Sequence, residues 1–383
     1  MSYLSVTWLF WMWLTVSLYW LAPRDVRQLV LMALTVVFLA TRSPESAAIL
    51  LAFTALTHVT GNLLVPTMRV VATGIVVMLA VLGVYKINQT VNSANLFDTV
   101  AIPLGLSYYT FRCIHFLMER YKAAVPRASA HELAGYLLFL PTIVVGPIHR
   151  YDDYRRDLNR QRFDAAMLSE GAERILYGYV KIVIVSNYLT EGVLGDYIAG
   201  LANPEAPGVI YLKIVQNGLN LYFQFSGYSD IAIGFARLLG YRVMENFNWP
   251  YLQPNIAAFW RSWHISLSRW CRDYIYSVVV ARTRSPALGA MATMIAIGLW
   301  HEISLRFVLW GAYHGIGLVV WQKSQGWTTR LERSLPETAL PVLHIAKVAF
   351  TVHFVWFGFL ILTAETPAQA LVTFGKLIAI TEG

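Results

Sequence analysis

The chain has 383 residues, of which 57% are hydrophobic and only 14% charged, with a mean hydropathy of +0.51. An ordinary globular chain carries roughly 25% charged residues, so this composition excludes a soluble multidomain protein and predicts a polytopic membrane protein. Thirty Lys and Arg against 22 Asp and Glu leave a net charge of +8, but the basic residues fall in short loops between apolar runs, where they read as topology signals facing anionic lipid and not as a nucleic-acid surface.

The first apolar run, residues 5–22, is long enough to cross a bilayer, and its first basic residues, Arg24 and Arg27, follow it. A cleaved leader has the opposite polarity, so the pattern predicts an uncleaved helix with its N-terminus outside. Further runs follow at 26–40, 47–65, 70–85 and 100–118. The connection 88–98 has no Lys or Arg, whereas Arg120, Lys122 and Arg127 follow the next run. This places the first connection outside and the second in the cytoplasm.

Residues 133–148 break the pattern. The segment is short, carries Pro141 and the pair Gly146-Pro147, and leads into Arg150, Arg155, Arg156, Arg160 and Arg162. A crossing there would put the most basic loop on the wrong side, so a re-entrant hairpin returning to the cytoplasm is predicted. Apolar runs resume at 172–198, 209–225, 287–300, 304–321, 341–362 and 368–380. In all, about ten to twelve membrane-embedded segments are expected. No internal repeat is visible, which argues against a repeat-built transporter.

Residues 255–280 read NIAAFWRSWHISLSRWCRDYIYSVVV. On a helical wheel Trp260, Trp263, His264, Leu267, Trp270, Cys271 and Tyr274 share one face, with Arg261, Ser262, Ser268, Arg269, Arg272 and Asp273 opposite. This predicts an amphipathic helix lying in the interface, with His264 the exception on its apolar face. A second histidine, His301, sits with Glu302 between two apolar runs, one turn before Arg306. Ionisable groups at such depth are expensive and usually face a bundle interior or a cavity.

The two cysteines, Cys113 and Cys271, are far apart, and the sequence holds no zinc spacing, no HExxH and no Gly-x-Ser-x-Gly elbow. Histidine remains a good general base near neutral pH. A base that deprotonates a hydroxyl can drive acyl transfer from a thioester without a covalent enzyme intermediate. A proton-coupled transporter using His301 and Glu302 as a relay is the alternative from another class, and a non-catalytic scaffold for an external acyltransferase is a third.

Three stretches, LPTIVVGPIHRYDDY (140–154), GYSDIAIGFARLLGYRVMENFNWPYLQPNIAAFWRSWHISLSRWCRDYIY (227–276) and GLWHEISLRFVLWGAYHG (298–315), together about a fifth of the chain, resemble the membrane-bound O-acyltransferases. The likeness is to the bacterial branch that includes the alginate O-acetylation and teichoic-acid D-alanylation membrane proteins. It implies an all-α membrane fold: a ring of helices around a thin core with a tunnel, formed by one domain over 1–383. Within it, 1–130 would supply N-terminal helices, 131–315 the motif-bearing core and 316–383 the C-terminal helices.

By position, His301 matches the family's catalytic histidine and His264 its second. Tyr228, Ser229, Asp230, Asn246, Asn248, Trp263, Trp300 and His314 fall in the motifs that would line the substrate path. Arg150 to Arg162 and the arginine face (Arg261, Arg269 and Arg272) would suit an acidic carrier protein or the phosphates of coenzyme A. The resemblance implies no bound cofactor or metal and a cytoplasmic thioester donor, either acyl-CoA or an acyl-carrier-protein conjugate. It also implies a cell-envelope polysaccharide or teichoic acid acceptor, reached directly or through an extracytoplasmic serine acyltransferase, and a place in the bacterial cytoplasmic membrane. Two positions depart from the family pattern: Glu302 stands where glycine is usual, and His149 where histidine is unexpected.

Overall fold

The computed structural model of the chain describes residues 4–91, 103–160, 162–364 and 366–378, and these are helical, without a strand. Most of the connection 88–98, the start of the 100–118 run and the end of the 368–380 run lie outside the described residues. Three helical stretches, Pro44–Leu63, Met68–Asn88 and Glu337–Leu362, are long and apolar enough to cross a membrane, and Val6–Leu21 and Pro286–His301 are shorter apolar helices. The chain divides into two compact units, each discontinuous in sequence: Met1–Tyr179 with Gly227–Glu245, and Val180–Ser226 with Asn246–Gly383.

In the first unit the predicted re-entrant segment is broken where its prolines and glycines fall. A helix Ala130–Leu137 is followed by a 3-10 turn Leu140–Thr142 and by irregular chain up to the polar helix Tyr151–Arg160. At ~1.5 Å per residue, the eight-residue helix is ~12 Å long, too short for a hydrocarbon core of ~30 Å. The returning chain lies against the start of the helix Leu106–Tyr121. Gly105 adopts φ 78°, and a Cβ there would come within 2.1 Å of the Ile143 carbonyl oxygen. Only glycine allows that approach.

The sequence placed the end of a membrane run near residue 225, but the helix Pro207–Leu238 continues through Gly-Tyr-Ser-Asp for 32 residues. The cause is packing in the first unit. A Cβ on Gly234 would lie 2.6 Å from the Gly171 carbonyl oxygen, and one on Gly178 would lie 2.7 Å from that of Gly227. The helix Ala165–Tyr179 therefore meets the end of Pro207–Leu238 backbone to backbone, as small residues permit in membrane proteins. Arg174 crosses the same seam to Asp230, 2.7 Å away, and to Glu245. The run predicted at 172–198 likewise changes character: after Tyr179 it becomes a π-helix, Val180–Leu194.

In the second unit the helices Pro286–His301 and Leu305–Ser334 form a tight hairpin. A Cβ on Gly298 would lie 2.2 Å from the Phe307 carbonyl oxygen, and one on Gly311 would lie 2.5 Å from that of Met294. Ser285 caps the first helix through the Leu288 amide, with Pro286 in its first turn.

The glycine seam makes a stability prediction. Gly234→Val places carbon inside contact distance of the Gly171 backbone and is expected to cost about 1–3 kcal/mol as overpacking. The measurement is the thermal midpoint in detergent, with Gly326→Ala, inside the helix Leu305–Ser334 and meeting nothing within 4 Å, as the control that does not fall below the wild-type value. An unchanged midpoint for Gly234→Val would show that the seam is not under this constraint.

Candidate active site

The amphipathic segment does not form the single helix that its periodicity predicts. Ile256–Ser262 and Ile265–Cys271 are separate seven-residue helices, followed by a π-turn Arg272–Tyr276 and a helix Ser277–Thr283. The break falls on His264, whose backbone is left-handed at φ 43° and ψ 55°. Histidine tolerates this region better than most residues, yet it is still an uncommon conformation outside glycine. The predicted faces survive in part: Trp260, Leu267, Trp270 and Cys271 are buried and Arg261, Arg269 and Arg272 exposed, but Ser262, expected on the polar face, is buried and donates to the Ala258 carbonyl.

Asn246 holds the break in place. Its side-chain oxygen, wholly buried, receives the Ser266 amide at 3.3 Å, the Ser266 hydroxyl at 2.9 Å and Nδ1 of His264 at 3.0 Å. An amide N–H can only donate, so the atom facing Ser266 is the carboxamide oxygen and the proton on His264 sits at Nδ1. The Nε2 atom then carries the lone pair. Backbone bonds complete the clamp, from the Ile265 amide to the Asn246 carbonyl and from the Asn248 amide to the Ser262 carbonyl. Asn248 contributes through its backbone, and its side chain is exposed.

His264 is 2% exposed, edge-on to Phe225 with ring centroids 4.8 Å apart and 6.1 Å from the ring of Trp300. Burial, reinforced by the charge of His301, pushes its pKa down to about 3. It is therefore neutral throughout the working range. Trp263 packs among Phe247, Tyr251 and Phe259 and supports the break from one side.

His301 is the last residue of its helix and is exposed. Its ring lies 4.6 Å from that of Trp300, the same indole that neighbours His264, and 5.8 Å from those of Phe307 and Trp310. Glu302 turns into extended backbone, and its carboxylate pairs with Arg306 at 3.1 Å. Glu302 is thus occupied one turn away. His314 also neighbours Trp310 and is 1% exposed, in a cage of Trp260, Trp310, Tyr313 and Phe354.

Of the residues singled out in the sequence, His264, His301, Asn246, Asn248, Trp263, Trp300, His314, Arg261, Arg269 and Arg272 fall in the second unit. Tyr228, Ser229 and Asp230 belong to the first, where Asp230 is the partner of Arg174. Arg272 is engaged by Asp273 at 2.9 Å. The sequence did not single out Ser266, Phe225 or Trp310 as site residues. Ser266 is the residue whose amide settles the tautomer, and its only sequence signal is its place two positions after His264. Cavities of about 540 Å³ beside Arg24 and about 440 Å³ beside Lys347 are not lined by either site histidine. Among the described residues no group of three or more His, Cys, Asp or Glu could hold a metal ion.

The candidate site therefore sets two histidines against the ring of one tryptophan, in a helical membrane protein. The family model of the membrane-bound O-acyltransferases matches residues 5–334, and the chain belongs to that family of acyltransferases. It is 31% identical to a probable alginate O-acetylase, AlgI, of Pseudomonas putida, over 95% of this chain and 77% of the relative. It is 30% identical to a teichoic acid D-alanyltransferase of Bacillus subtilis, over 68% of this chain and 69% of the relative. A peptidoglycan O-acetyltransferase of Helicobacter pylori is 27% identical over 69% of this chain and 57% of its own length.

The clamp predicts a titration behaviour. A group depressed to about 3 stays neutral as the pH falls through the physiological range, so ¹⁵N imidazole signals of His264 should not titrate between about pH 5 and 8, where an ordinary histidine does. Asn246→Asp puts a carboxylate beside Nδ1, which favours the charged ring and should bring the titration up into that window. Titration of the wild-type ring there would show that Asn246 and burial do not hold it neutral.

Proposed function

We propose that this chain transfers an acyl group of acetyl or D-alanyl type from a cytoplasmic thioester to a hydroxyl of a cell-envelope polysaccharide or teichoic acid, in the bacterial cytoplasmic membrane. His301 serves as general base and His264 as its orienting partner. The donor is an acyl-CoA or an acyl-carrier-protein conjugate. The observation that carries the reading is the His264–Asn246 clamp, which fixes a neutral imidazole in one tautomer next to the Trp300–His301 pair.

In the reaction, the acceptor oxygen gives its proton to the His301 imidazole as it attacks the thioester carbonyl carbon. The tetrahedral adduct then collapses, the C–S bond breaks, and the departing sulfur takes up the proton from the imidazolium. His264 neither gains nor loses a proton in this scheme. With its own proton committed to Asn246, Nε2 is an acceptor, which suits it to orienting an N–H or O–H donor and not to donating to an oxyanion.

The names of the relatives, which act on alginate, teichoic acid and peptidoglycan, support an envelope acceptor. A relay through an extracytoplasmic serine acyltransferase is the indirect form of the same activity. Exposed Arg261 and Arg269 support donor docking on the cytoplasmic side by charge, with the whole chain acting as one catalytic domain. The pairing of Glu302 with Arg306 counts against the proton-relay alternative, because that relay would need the carboxylate to exchange partners.

Removal of a general base typically lowers the rate by about 10² to 10⁴, and that loss is expected for purified His301→Ala with the donor KM unchanged. Mass spectrometry of envelope glycans from a deletion strain carrying the same variant separates the alternatives. A scaffold would restore acylation despite the substitution, whereas the enzyme proposed here would not. For the docking surface, Arg261→Glu with Arg269→Glu should raise the donor KM by roughly tenfold, about 1.4 kcal/mol. A wild-type KM would assign both arginines to topology alone.

A further inference from the structure

The cavity of about 440 Å³ beside Lys347 lies within the second unit and serves no step of the proposed chemistry. Its size falls in the range of roughly 300–1,000 Å³ usual for small-ligand sites. Three pieces of chain wall it. The end of the helix Leu305–Ser334 supplies Glu332 and Arg333, and the first turns of the helix Leu340–Thr363 supply Leu340, Leu343, His344 and Lys347. Those four positions are spaced i, i+3, i+4 and i+7, which is one face of a helix. The third contribution is Asn255, the cap of the helix Ile256–Ser262.

The polar groups of this wall leave an excess of donors. Asn255 commits its side-chain oxygen to the Ala258 amide at 2.8 Å, so its amide nitrogen is what it can offer a ligand. Glu332 is taken by Lys347. The side chains of Arg333 and His344 have no hydrogen bond or ion pair among the described residues, and a guanidinium can only donate. Once the Glu332–Lys347 pair is cancelled, the cavity keeps the positive charge of Arg333 beside the N–H donors of His344 and Asn255. It suits an anion with several acceptor oxygens, for which the arginine fork is made. Leu340 and Leu343 add an apolar flank that a small inorganic ion would not use.

The depth of the cavity identifies what carries the anion. The stretch Glu337–Leu362 is long and apolar enough to cross a membrane, and the cavity lies at its first turns, at headgroup level. Lys323, Arg330 and Arg333 separate the apolar runs 304–321 and 341–362, which assigns this end to the cytoplasmic side. Basic pockets between membrane helices on that side take the headgroups of anionic lipids.

We infer that this cavity binds the headgroup of an anionic phospholipid, with the phosphate on Arg333, His344 and Asn255 and the first acyl carbons along Leu340 and Leu343. The site does not depend on the assignment of His301, and its test reads binding and not turnover.

The probes are dioctanoyl-phosphatidylglycerol, dioctanoyl-phosphatidylcholine and coenzyme A. Each is added to the delipidated full-length protein at about 0.15 M salt, where loose surface attraction is screened, and followed by native mass spectrometry and by thermal midpoint. Wild type should bind phosphatidylglycerol with a raised midpoint and prefer it to the choline lipid, which has the same chains and no net charge. Arg333→Gln with His344→Leu should weaken that binding by roughly tenfold or more. Both side chains are exposed, so the lipid-free midpoint of this variant should stay at the wild-type value; if it falls, Arg333→Gln alone decides. Arg282→Gln, which removes an exposed charge elsewhere in the second unit, is the control that binds as wild type does. Wild-type affinity of the Arg333 and His344 variant for phosphatidylglycerol would overturn the inference, as would equal binding of the two lipids. Coenzyme A binding that this variant loses, with phosphatidylglycerol unaffected, would overturn it in favour of a soluble phosphate ester.

Discussion

The site depends on one oxygen atom. Oδ1 of Asn246, wholly buried, gathers an amide, a hydroxyl and an imidazole N–H from the two residues His264 and Ser266. A left-handed backbone costs roughly 1–2 kcal/mol outside glycine, and each net hydrogen bond returns about 0.5–1.5 kcal/mol. Three bonds to one acceptor are therefore of the size needed to hold His264 in its strained position. Without the break, Trp263 and His264 would follow a continuous helical path, and the imidazole would not be turned toward Phe225 and Trp300.

Around that constraint the two histidines of the second unit stand in different environments. His264 is buried, neutral and fixed, whereas His301 is exposed at the end of a helix. The glycines at 298 and 311 set where that end lies, since the backbones of the hairpin touch through them. A base must reach its substrate and change protonation during turnover, while an orienting group must do neither. The two environments match those two demands.

Much of this was legible in the sequence, for identifiable reasons. The apolar runs give a membrane class directly, and Pro141 with Gly146-Pro147 marks segment 133–148 as unable to span. The arginine and tryptophan faces of 255–280 follow from helical periodicity. The break at His264 could not be read, because it arises from a partner 18 positions earlier. Asp230 reads as a substrate-path residue by its motif, and the structure adds its pairing with Arg174 56 positions earlier, which no spacing in the sequence shows. The end of the 209–225 run was misplaced because polar Gly-Tyr-Ser-Asp reads as a loop until the glycine seam against 165–179 is known.

The central claim is that His264 and His301 act as one unit in acyl transfer. Groups that act together lose activity non-additively, so the direct measurement is a double-mutant cycle on single-turnover transfer from a thioester to an acceptor hydroxyl. His264→Ala, His301→Ala and the double variant would each be compared with wild type in purified form. The account predicts that the double variant is only marginally slower than His301→Ala alone. Losses that multiply, or a wild-type rate for either single variant, would contradict it.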